Sequence, residues 1–231
     1  MATALAARLA RAERVVVVCG AGASTAGGVS DFKTLYAAEP AMLRALHATT
    51  FRRHTDELAR FLVLFARRPR PTGVHAFLGR LHAAGQLRHC YTMNLDRLEE
   101  SALPPTKVTY LHGHRDDDAR CGRRTVPAET LWRSVGRRGG LAAHKAAHGC
   151  DLRPGFVMYG EPIRGVEGLR RDCAAADLIL VIGTRLKTEP VHSILVEHRH
   201  KIVGINDEPI AGVSKQTLLG RCEAVCDALC R

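Results

Sequence analysis

Apolar runs of strand length alternate along the chain with segments of helical periodicity. The run at 14–19 is nearly all apolar and β-branched, which is typical of a strand buried on both faces. Similar runs follow at 87–92, 107–111, 177–183 and 201–205. The helical segments between them lie at 56–67, 73–84, 166–175, 190–198 and 221–229. This alternation predicts an α/β fold, with a Rossmann-like parallel sheet covered by helices on both faces.

Two stretches depart from the alternation. Residues 35–71 have a helical pattern throughout, whereas residues 114–154 are rich in Arg, Gly, Ala and His and have weak periodicity. Each is too long to be a simple loop in a compact domain. We therefore expect a single domain over 1–231, in which these two insertions form a small helical lobe. The large lobe would comprise 1–34, 72–113 and 155–231, and the cleft between the lobes is the expected ligand site.

A glycine-rich turn, Gly20-Ala21-Gly22, follows the first predicted strand. Glycines at this point let the backbone approach a pyrophosphate, so the turn predicts a nucleotide phosphate site. The alternative, a turn that is glycine-rich for steric reasons, stays open. The common dinucleotide fingerprint requires a third glycine where Thr25 stands, and the Gly-Lys-Ser/Thr of a Walker A loop is absent.

The residues after the turn carry a more specific signal. The sequence GAGASTAGGVSDFK at 20–33 resembles the sirtuin signature G-A-G-x-S-x-x-x-G-I-P-D-F-R. Five further motifs follow in the order found in that family. TMNLD at 92–96 resembles T-Q-N-I-D, and LHG at 111–113 resembles the H-G motif. LRPGFVMYGE at 152–161 resembles L-R-P-x-V-V-x-F-G-E, GTRLK at 183–187 resembles G-T-S-L-x, and INDE at 205–208 resembles I-N-x-E. The six motifs therefore resemble those of the sirtuin family, and their residues are most similar to those of its fungal nuclear histone-deacetylase branch.

The resemblance implies NAD-dependent removal of acyl groups from protein lysines. In that family the acyl oxygen attacks C1′ of the nicotinamide ribose and nicotinamide leaves. A histidine then acts as general base on a ribose hydroxyl, and the products are lysine and O-acyl-ADP-ribose. His112 holds the position of that histidine, and imidazole titrates in the range that such a base requires. Asn94 and Asp96, the other predicted catalytic residues, would hold the nicotinamide and its ribose, although Asp96 is also a plausible helix N-cap.

The resemblance also assigns residues to the cofactor and the substrate. Asp31 and Phe32 match a loop that covers nicotinamide and shields the reactive carbon from water. The cofactor-binding residues implied are Gly20, Ala21, Gly22, Ser24, Asp31, Phe32, Lys33, Met93, Asn94, Asp96, Gly183, Thr184, Arg185, Asn206 and Cys222. The segment Phe156-Val157-Met158 would pair with the substrate backbone and line an acyl-lysine tunnel, a role compatible with that of a core strand.

Four residues depart from the family pattern. Met93 replaces Gln, which removes a hydrogen-bonding side chain near the ribose and is expected to reduce NAD affinity or rate. Ser30 replaces Pro, and Lys33 replaces Arg, so Lys33 keeps the charge but lacks the bidentate fork. Arg185 replaces Ser and would contact a phosphate or point to solvent. None of these changes removes the proposed base, so activity is expected.

The four-cysteine zinc pattern of the family is incomplete. Cys121 fits the first ligand position, but Arg124 stands where its partner belongs, and Cys150 is the only cysteine left before the next motif. The histidines His114, His144 and His148 leave a Cys2His2 set open. We expect instead that this lobe lacks the metal and is held by helix packing.

Composition and charge add a basic character. The chain has 34 Lys and Arg against 23 Asp and Glu, a net charge of +11, and its apolar runs are too short for a membrane span. The basic clusters at 67–70, 123–124 and 137–138 favour solvated faces over a dedicated nucleic-acid site, since only 5% of residues are aromatic. No signal peptide precedes the eight cysteines, so we expect reduced thiols.

These observations favour a basic intracellular enzyme with acidic partners. We expect an acylated histone or other nuclear protein as substrate, docking of the basic clusters onto chromatin, no membrane partner, and a nuclear location with the cytoplasm as the alternative. Two other functions stay open. One is a mono-ADP-ribosyltransferase or NAD hydrolase on the same fold, and the other is a catalytically weak module that binds NAD or chromatin.

Overall fold

The computed structural model describes residues 2–29, 42–66 and 69–230, and all structural statements concern those residues. The strands are β1 (Val15–Cys19), β2 (Leu87–Thr92), β3 (Val108–Tyr110), β4 (Ala119–Cys121), β5 (Arg124–Val126), β6 (Leu152–Arg153), β7 (Leu178–Ile182), β8 (Ile202–Asn206) and β9 (Thr217–Leu219). The α-helices are α1 (Ala2–Leu9), α2 (Met42–Ala45), α3 (Thr55–Ala66), α4 (Gly73–Ala83), α5 (Ala128–Val135), α6 (Gly140–His148), α7 (Val166–Ala175), α8 (Val191–Glu197) and α9 (Cys222–Leu229).

Six strands form one parallel sheet in the order β3-β2-β1-β7-β8-β9. The predicted parallel sheet is therefore confirmed, and all five predicted strands belong to it. Strands β1 and β7 run in register from Val15 beside Leu178 to Cys19 beside Ile182, so both end at the same edge. The sequence did not predict the edge strand β9, because only Leu218 of its three residues is buried and no apolar run marks it.

The helices cover both faces of this sheet, as predicted. Alternate residues of β1 point to opposite sides, since Val15 and Val17 join one hydrophobic cluster and Val16 and Val18 join another. The first cluster contains residues of α1, α4 and α9, and the second contains residues of α7 and α8. Burial of each valine side chain contributes about 1.5–3 kcal/mol, so the central strand is stabilised from both sides.

Helix α4 is tied to the glycine-rich turn through its N-cap. The Thr72 hydroxyl accepts a hydrogen bond from Val74 N at 3.2 Å and donates one to the Ala23 carbonyl at 2.8 Å. His75 completes a capping box, because its Nδ1 accepts from Thr72 N at 3.0 Å. The cap therefore fixes the start of the helix and the turn after β1 together.

A third hydrophobic cluster joins α2, α3, α5 and α6 to a small antiparallel sheet in the order β5-β4-β6. Phe61 of α3 contacts Phe156 edge to face, with ring centroids 6.4 Å apart. The expectation of a purely helical lobe was incomplete, because strands of two or three residues are too short to show an apolar alternation. The boundaries of the two lobes stay a prediction. Within the described ranges, no helix has the length and apolar composition that crossing a membrane requires.

The close contact between the turns after β1 and β7 generates a stability prediction. Gly183 has φ +66°, and a Cβ added there would lie 2.7 Å from Gly22 Cα. We expect Gly183→Ala to cost about 3 kcal/mol or more of unfolding free energy, from left-handed strain plus overpacking. Gly212→Ala is the matched control, because Gly212 has φ +76° with nothing within 4 Å of an added Cβ, so only the strain of about 1 kcal/mol applies. Urea unfolding of both variants checks this, and equal losses would contradict it.

Candidate functional site

A cavity of about 1110 Å³ opens at the edge where the parallel strands end. Residues that follow β1, β2, β7 and β8 line it, and ligands of open α/β sheets bind at this edge. The opposite wall includes Leu46, Phe156 and Met158, which belong to the third hydrophobic cluster. The cavity therefore lies between the sheet edge and residues of the third hydrophobic cluster, and its volume is large enough for a dinucleotide.

The glycine-rich turn lies against the turn after β7, backbone to backbone. Gly20 N donates to the Ile182 carbonyl, and Gly22 N donates to the Gly183 carbonyl, both at 2.9 Å. A Cβ at Gly22 would lie 2.7 Å from Gly183 Cα. The steric reason for these glycines is therefore present in the structure, while Gly20, Ala21 and Gly22 also line the cavity. The two roles are compatible.

A buried polar cluster lies beneath this turn. Asn94, which lines the cavity, donates from Nδ2 to Ser24 Oγ at 3.4 Å and to Glu99 Oε1 at 3.5 Å. Asp96 Oδ1 accepts from Leu98 N at 3.0 Å, but the N-cap of the short 3-10 helix Leu98–Ser101 is Arg97, so Asp96 is not the N-cap residue. Ser24 is fully buried and Asp96 is 7% exposed, and neither belongs to the cavity lining. Both lie behind Asn94 rather than at the cavity surface.

The two carboxyl groups of this cluster have unusual electrostatics. Burial raises the pKa of Asp96. Burial, together with the charge of Asp96, raises the pKa of Glu99 to about 8. Both carboxyl groups therefore hold a proton to a higher pH than a solvent-exposed carboxyl group does. The sequence analysis did not predict a role for Glu99. The one indication was its position, directly after Leu98 and three residues beyond Asp96.

His112 lies at the cavity with one nitrogen already occupied. Its Nδ1 donates to the Met93 carbonyl at 3.1 Å, because a carbonyl can only accept. This fixes the tautomer in which Nε2 is unprotonated. Burial lowers the pKa of His112, and the hydrogen bond to Met93 partly offsets that effect. The imidazole is therefore neutral near pH 7, with Nε2 available as a base.

The predicted acyl-lysine segment lines the same cavity and is held by several backbone bonds. Val157 N donates to the His112 carbonyl at 2.7 Å, and Met158 N donates to Glu161 Oε2 at 2.9 Å. Tyr159 N donates to the Leu46 carbonyl at 2.9 Å. Phe156 and Met158 are buried at 4% and 3% exposure. These donors are therefore already used inside the protein.

The same cavity is also lined by residues that the resemblance assigns to the cofactor, namely Gly183, Thr184, Arg185, Asn206 and Cys222. The Cys222 thiol donates to the Ile205 carbonyl at 3.4 Å, and Asn206 Nδ2 donates to the Glu208 carbonyl at 2.9 Å. Arg185 forms an ion pair with the Glu208 side chain, with Nη2 3.4 Å from Oε2. The sequence analysis expected a phosphate contact or a solvent-facing side chain for Arg185 and missed this carboxylate partner.

Part of the predicted site lies outside the described residues. Asp31, Phe32 and Lys33 fall in the range 30–41, as does Ser30. Other cavity residues were not predicted, among them Thr25, Leu46, Arg221 and Glu161. Leu46 had no signal in the sequence, since it comes from an insertion far from the motifs.

The candidate metal ligands meet in the small antiparallel sheet region. The Sγ atoms of Cys121 and Cys150 and a ring nitrogen of His144 lie within 4.8 Å of one another. The His148 ring lies 4.4 Å from the His144 ring, whereas His114 bonds to Asp117 elsewhere.

This group does not fit the family zinc site. Within the described residues it has three members, one short of a closed tetrahedral set. Arg124 faces Cys121 across the β4–β5 pair. Cys121 and Cys150 are joined as a disulfide, which corrects the expectation that all eight thiols are reduced.

Comparison with known proteins identifies relatives. The model of the Sir2 family matches residues 20–190. The NAD-dependent protein deacetylase hst2-2 of Emericella nidulans is 32% identical over 236 residues, covering 91% of this chain and 65% of that protein. The NAD-dependent histone deacetylase SIR2 of Candida albicans is 31% identical over 261 residues, covering 96% of this chain and 48% of that protein. The chain thus spans about half to two thirds of these fungal relatives.

Solved structures support the same fold. A structure of Sir2 with a p53 peptide and NAD+ superimposes with a TM-score of 0.82 at 21% identity, covering 99% of this chain and 97% of that chain. At this level of identity the similarity shows the fold, including the sheet and the small second sheet.

The raised pKa of Glu99 predicts a pH-dependent stability. Its folded pKa of about 8 exceeds the ordinary value of 4.5, so its stabilising effect is complete below pH 4.5 and is lost as the pH rises to about 8. Glu99→Gln cannot ionise, so its unfolding free energy should rise relative to the parent protein across this window, by up to about 1.4 kcal/mol per pH unit. Urea unfolding from pH 5 to pH 9 measures the difference. The exposed Glu129→Gln is the control, and parallel curves for parent and Glu99→Gln would contradict the prediction.

Proposed function

The chain belongs to the Sir2 family, and on that premise we propose that it is an NAD-dependent protein lysine deacetylase. The observation that carries this proposal is His112 at the H-G motif. Its tautomer is fixed by Met93, it lines the cavity, and its carbonyl bonds to the predicted acyl-lysine segment at Val157. The curated relatives in Emericella and Candida bear deacetylase names, which supports the same reaction for this chain.

The cavity residues fit a dinucleotide. The Gly20–Gly22 turn brings backbone to the sheet edge without side chains in the way, and the cavity of about 1110 Å³ continues past Thr184 and Asn206 to Cys222. These residues would hold the pyrophosphate and adenosine, and Asn94 would hold the nicotinamide ribose. Asp31, Phe32 and Lys33 complete the proposed set. When bound, NAD supplies the ribose carbon that receives the acyl group as nicotinamide leaves.

His112 takes a proton at Nε2 in this scheme. Its Nδ1–H bond to the Met93 carbonyl holds the ring in the cavity wall and stabilises the imidazolium that forms. Asn94 is held in place by Ser24 and Glu99, and Asp96 acts through the same cluster. Leu46, Phe156 and Met158 give the cavity an apolar wall that excludes water from the reacting groups.

The acylated lysine of a protein is the proposed substrate. The apolar side chains of Phe156 and Met158 suit a neutral acyl-lysine better than a charged lysine. Histones and other nuclear proteins are the finer proposal, together with an intracellular, nuclear location. The exposed cations Arg123, Arg124, Arg137 and Arg138 support docking onto an acidic chromatin surface.

Product analysis tests the proposed reaction. The protein is incubated with NAD and an acetylated histone peptide, and we expect peptide-dependent O-acetyl-ADP-ribose in the mass spectrum. His112→Ala should lower turnover by about 10²–10⁴-fold and leave NAD binding largely intact, because it removes the base for the ribose hydroxyl and keeps the other proposed cofactor-binding residues. His114→Ala is the matched control, since His114 bonds to Asp117 and does not line the cavity.

Other products would contradict the deacetylase. ADP-ribose formed without peptide would favour an NAD hydrolase, and label transferred to protein would favour an ADP-ribosyltransferase. Binding of NAD without consumption would favour a non-enzymatic module. Deacylation retained by His112→Ala would show that His112 is not the base.

The lowered pKa of His112 predicts the acid limb of the pH profile. A general base works only when it is unprotonated, so activity should fall as the pH drops through the pKa of His112. Because burial lowers that pKa, the half-maximal point should lie below the ordinary histidine value of 6.5. Measurement of kcat/KM for peptide between pH 4.5 and 8, with folding monitored at each pH, checks this. A half-maximal point above 6.5 would contradict it.

A further inference from the structure

A thiol pair outside the cavity has the spacing of a reversible disulfide. Cys121 ends β4, and Cys150 precedes β6, which pairs with β4. The Cα atoms of the two cysteines are 5.5 Å apart, within the range that a disulfide requires. Cys150 lies two residues before β6, which pairs with β4, so the small sheet holds the two cysteines close together.

His144 is oriented toward this pair by a chain of hydrogen bonds. Ser134 Oγ donates its one proton to the Thr130 carbonyl at 2.8 Å, so it can only accept from His144 Nδ1, 3.2 Å away. The Nδ1 atom therefore carries the ring proton, and Nε2 is unprotonated. Nε2 lies 3.3 Å from Cys121 Sγ. In the reduced protein the imidazole is thus placed to accept the Cys121 thiol proton.

The surroundings of the pair favour reaction with a small polar oxidant. Arg123 and Arg124 follow Cys121 after Gly122 and are exposed, and cations near a thiol stabilise the negative charge on sulfur. Cys150 is partly exposed, whereas the cysteines outside the pair are buried except for the partly exposed Cys230. Within the described part of the chain, the pair therefore combines a Cys121 that is 8% exposed, a partly exposed Cys150, a base and cations that are close in sequence.

We propose that Cys121 and Cys150 are a redox modification site, in which Cys121 is the thiol that reacts with a hydroperoxide and Cys150 is the resolving thiol. His144 takes the Cys121 proton, and the thiolate attacks the peroxide, which breaks the O–O bond. His144 returns the proton to the departing oxygen, so Cys121 becomes a sulfenic acid and the peroxide becomes water or an alcohol. The Cys150 thiol then attacks the Cys121 sulfur and releases water. Two electrons pass from the two sulfurs to the peroxide.

The site is connected to the cavity wall. Cys121 belongs to the hydrophobic cluster that contains Phe156 and Met158, and Leu141 of α6 and Leu152 of β6 belong to it as well. Disulfide formation links the chain on either side of α6 across 29 residues. The bond therefore stabilises the packing behind the acyl-lysine segment, and we expect oxidation to raise the melting temperature by roughly 5–10 °C.

Oxidation kinetics of the full chain test the proposal without reference to its enzyme activity. The protein is reduced, freed of reductant and treated with hydrogen peroxide, and intact mass and non-reducing peptide maps are followed with time. We expect a loss of two hydrogen atoms, one crosslinked Cys121–Cys150 peptide, and full reversal by dithiothreitol. His144→Gln should slow the oxidation by about 10–100-fold. The control Cys230→Ser should oxidise at the parent rate.

A second experiment tests whether Cys121 is the cysteine that is oxidised first. In Cys150→Ser, dimedone should trap a sulfenic acid on Cys121, with circular dichroism showing that the variant is folded. If that variant does not fold, competition alkylation of the reduced parent protein replaces it, and Cys121 should react faster than Cys230. Oxidation spread evenly over several cysteines, or a His144→Gln rate equal to the parent rate, would overturn the proposal. One tightly bound zinc per chain in the reduced protein, lost in Cys121→Ser and Cys150→Ser, would also overturn it.

Discussion

The contact between the turn after β1 and the turn after β7 is the constraint on which the rest of the site depends. Gly22 N bonds to the Gly183 carbonyl, and the two backbones are too close for a Cβ on either glycine. This contact brings the ends of two neighbouring buried strands together, and the cap of α4 joins it through Thr72 and Ala23. The cavity wall is therefore made of backbone that packing on both faces of the sheet holds rigid.

The buried polar cluster beneath that turn also holds a cavity residue in place. Ser24, Asn94 and Glu99 are joined by hydrogen bonds, and none of them is more than 6% exposed. Burial disfavours the charged form of such groups, and this is the main cause of the raised pKa of Glu99. Asn94 is thus presented to the cavity by partners that never reach it themselves.

The sequence predicted the features that have a strong local pattern. The buried strands at Val15–Cys19 and Leu178–Ile182 were evident from their apolar runs, and His112 from its motif. It did not predict β4 and β6, which have three and two residues and no apolar run. Nor did it predict the partnership of Arg185 with Glu208, or of Cys121 with Cys150, because these pairs are joined only by the folded chain. Ser24 and Asp96 carried the right motif, but their depth depends on tertiary packing.

In the ion pair between Arg185 and Glu208, the Glu208 carboxylate competes with any anionic ligand for the Arg185 guanidinium. Glu208 is a carboxylate held at a high effective concentration beside the guanidinium, since the two residues closely follow the adjacent strands β7 and β8. Any anionic group that is to pair with Arg185 must first displace this carboxylate. Breaking the Arg185–Glu208 pair costs free energy, which reduces the net binding free energy of the anion. The guanidinium therefore attracts anions weakly and favours those that offer more contacts than Glu208.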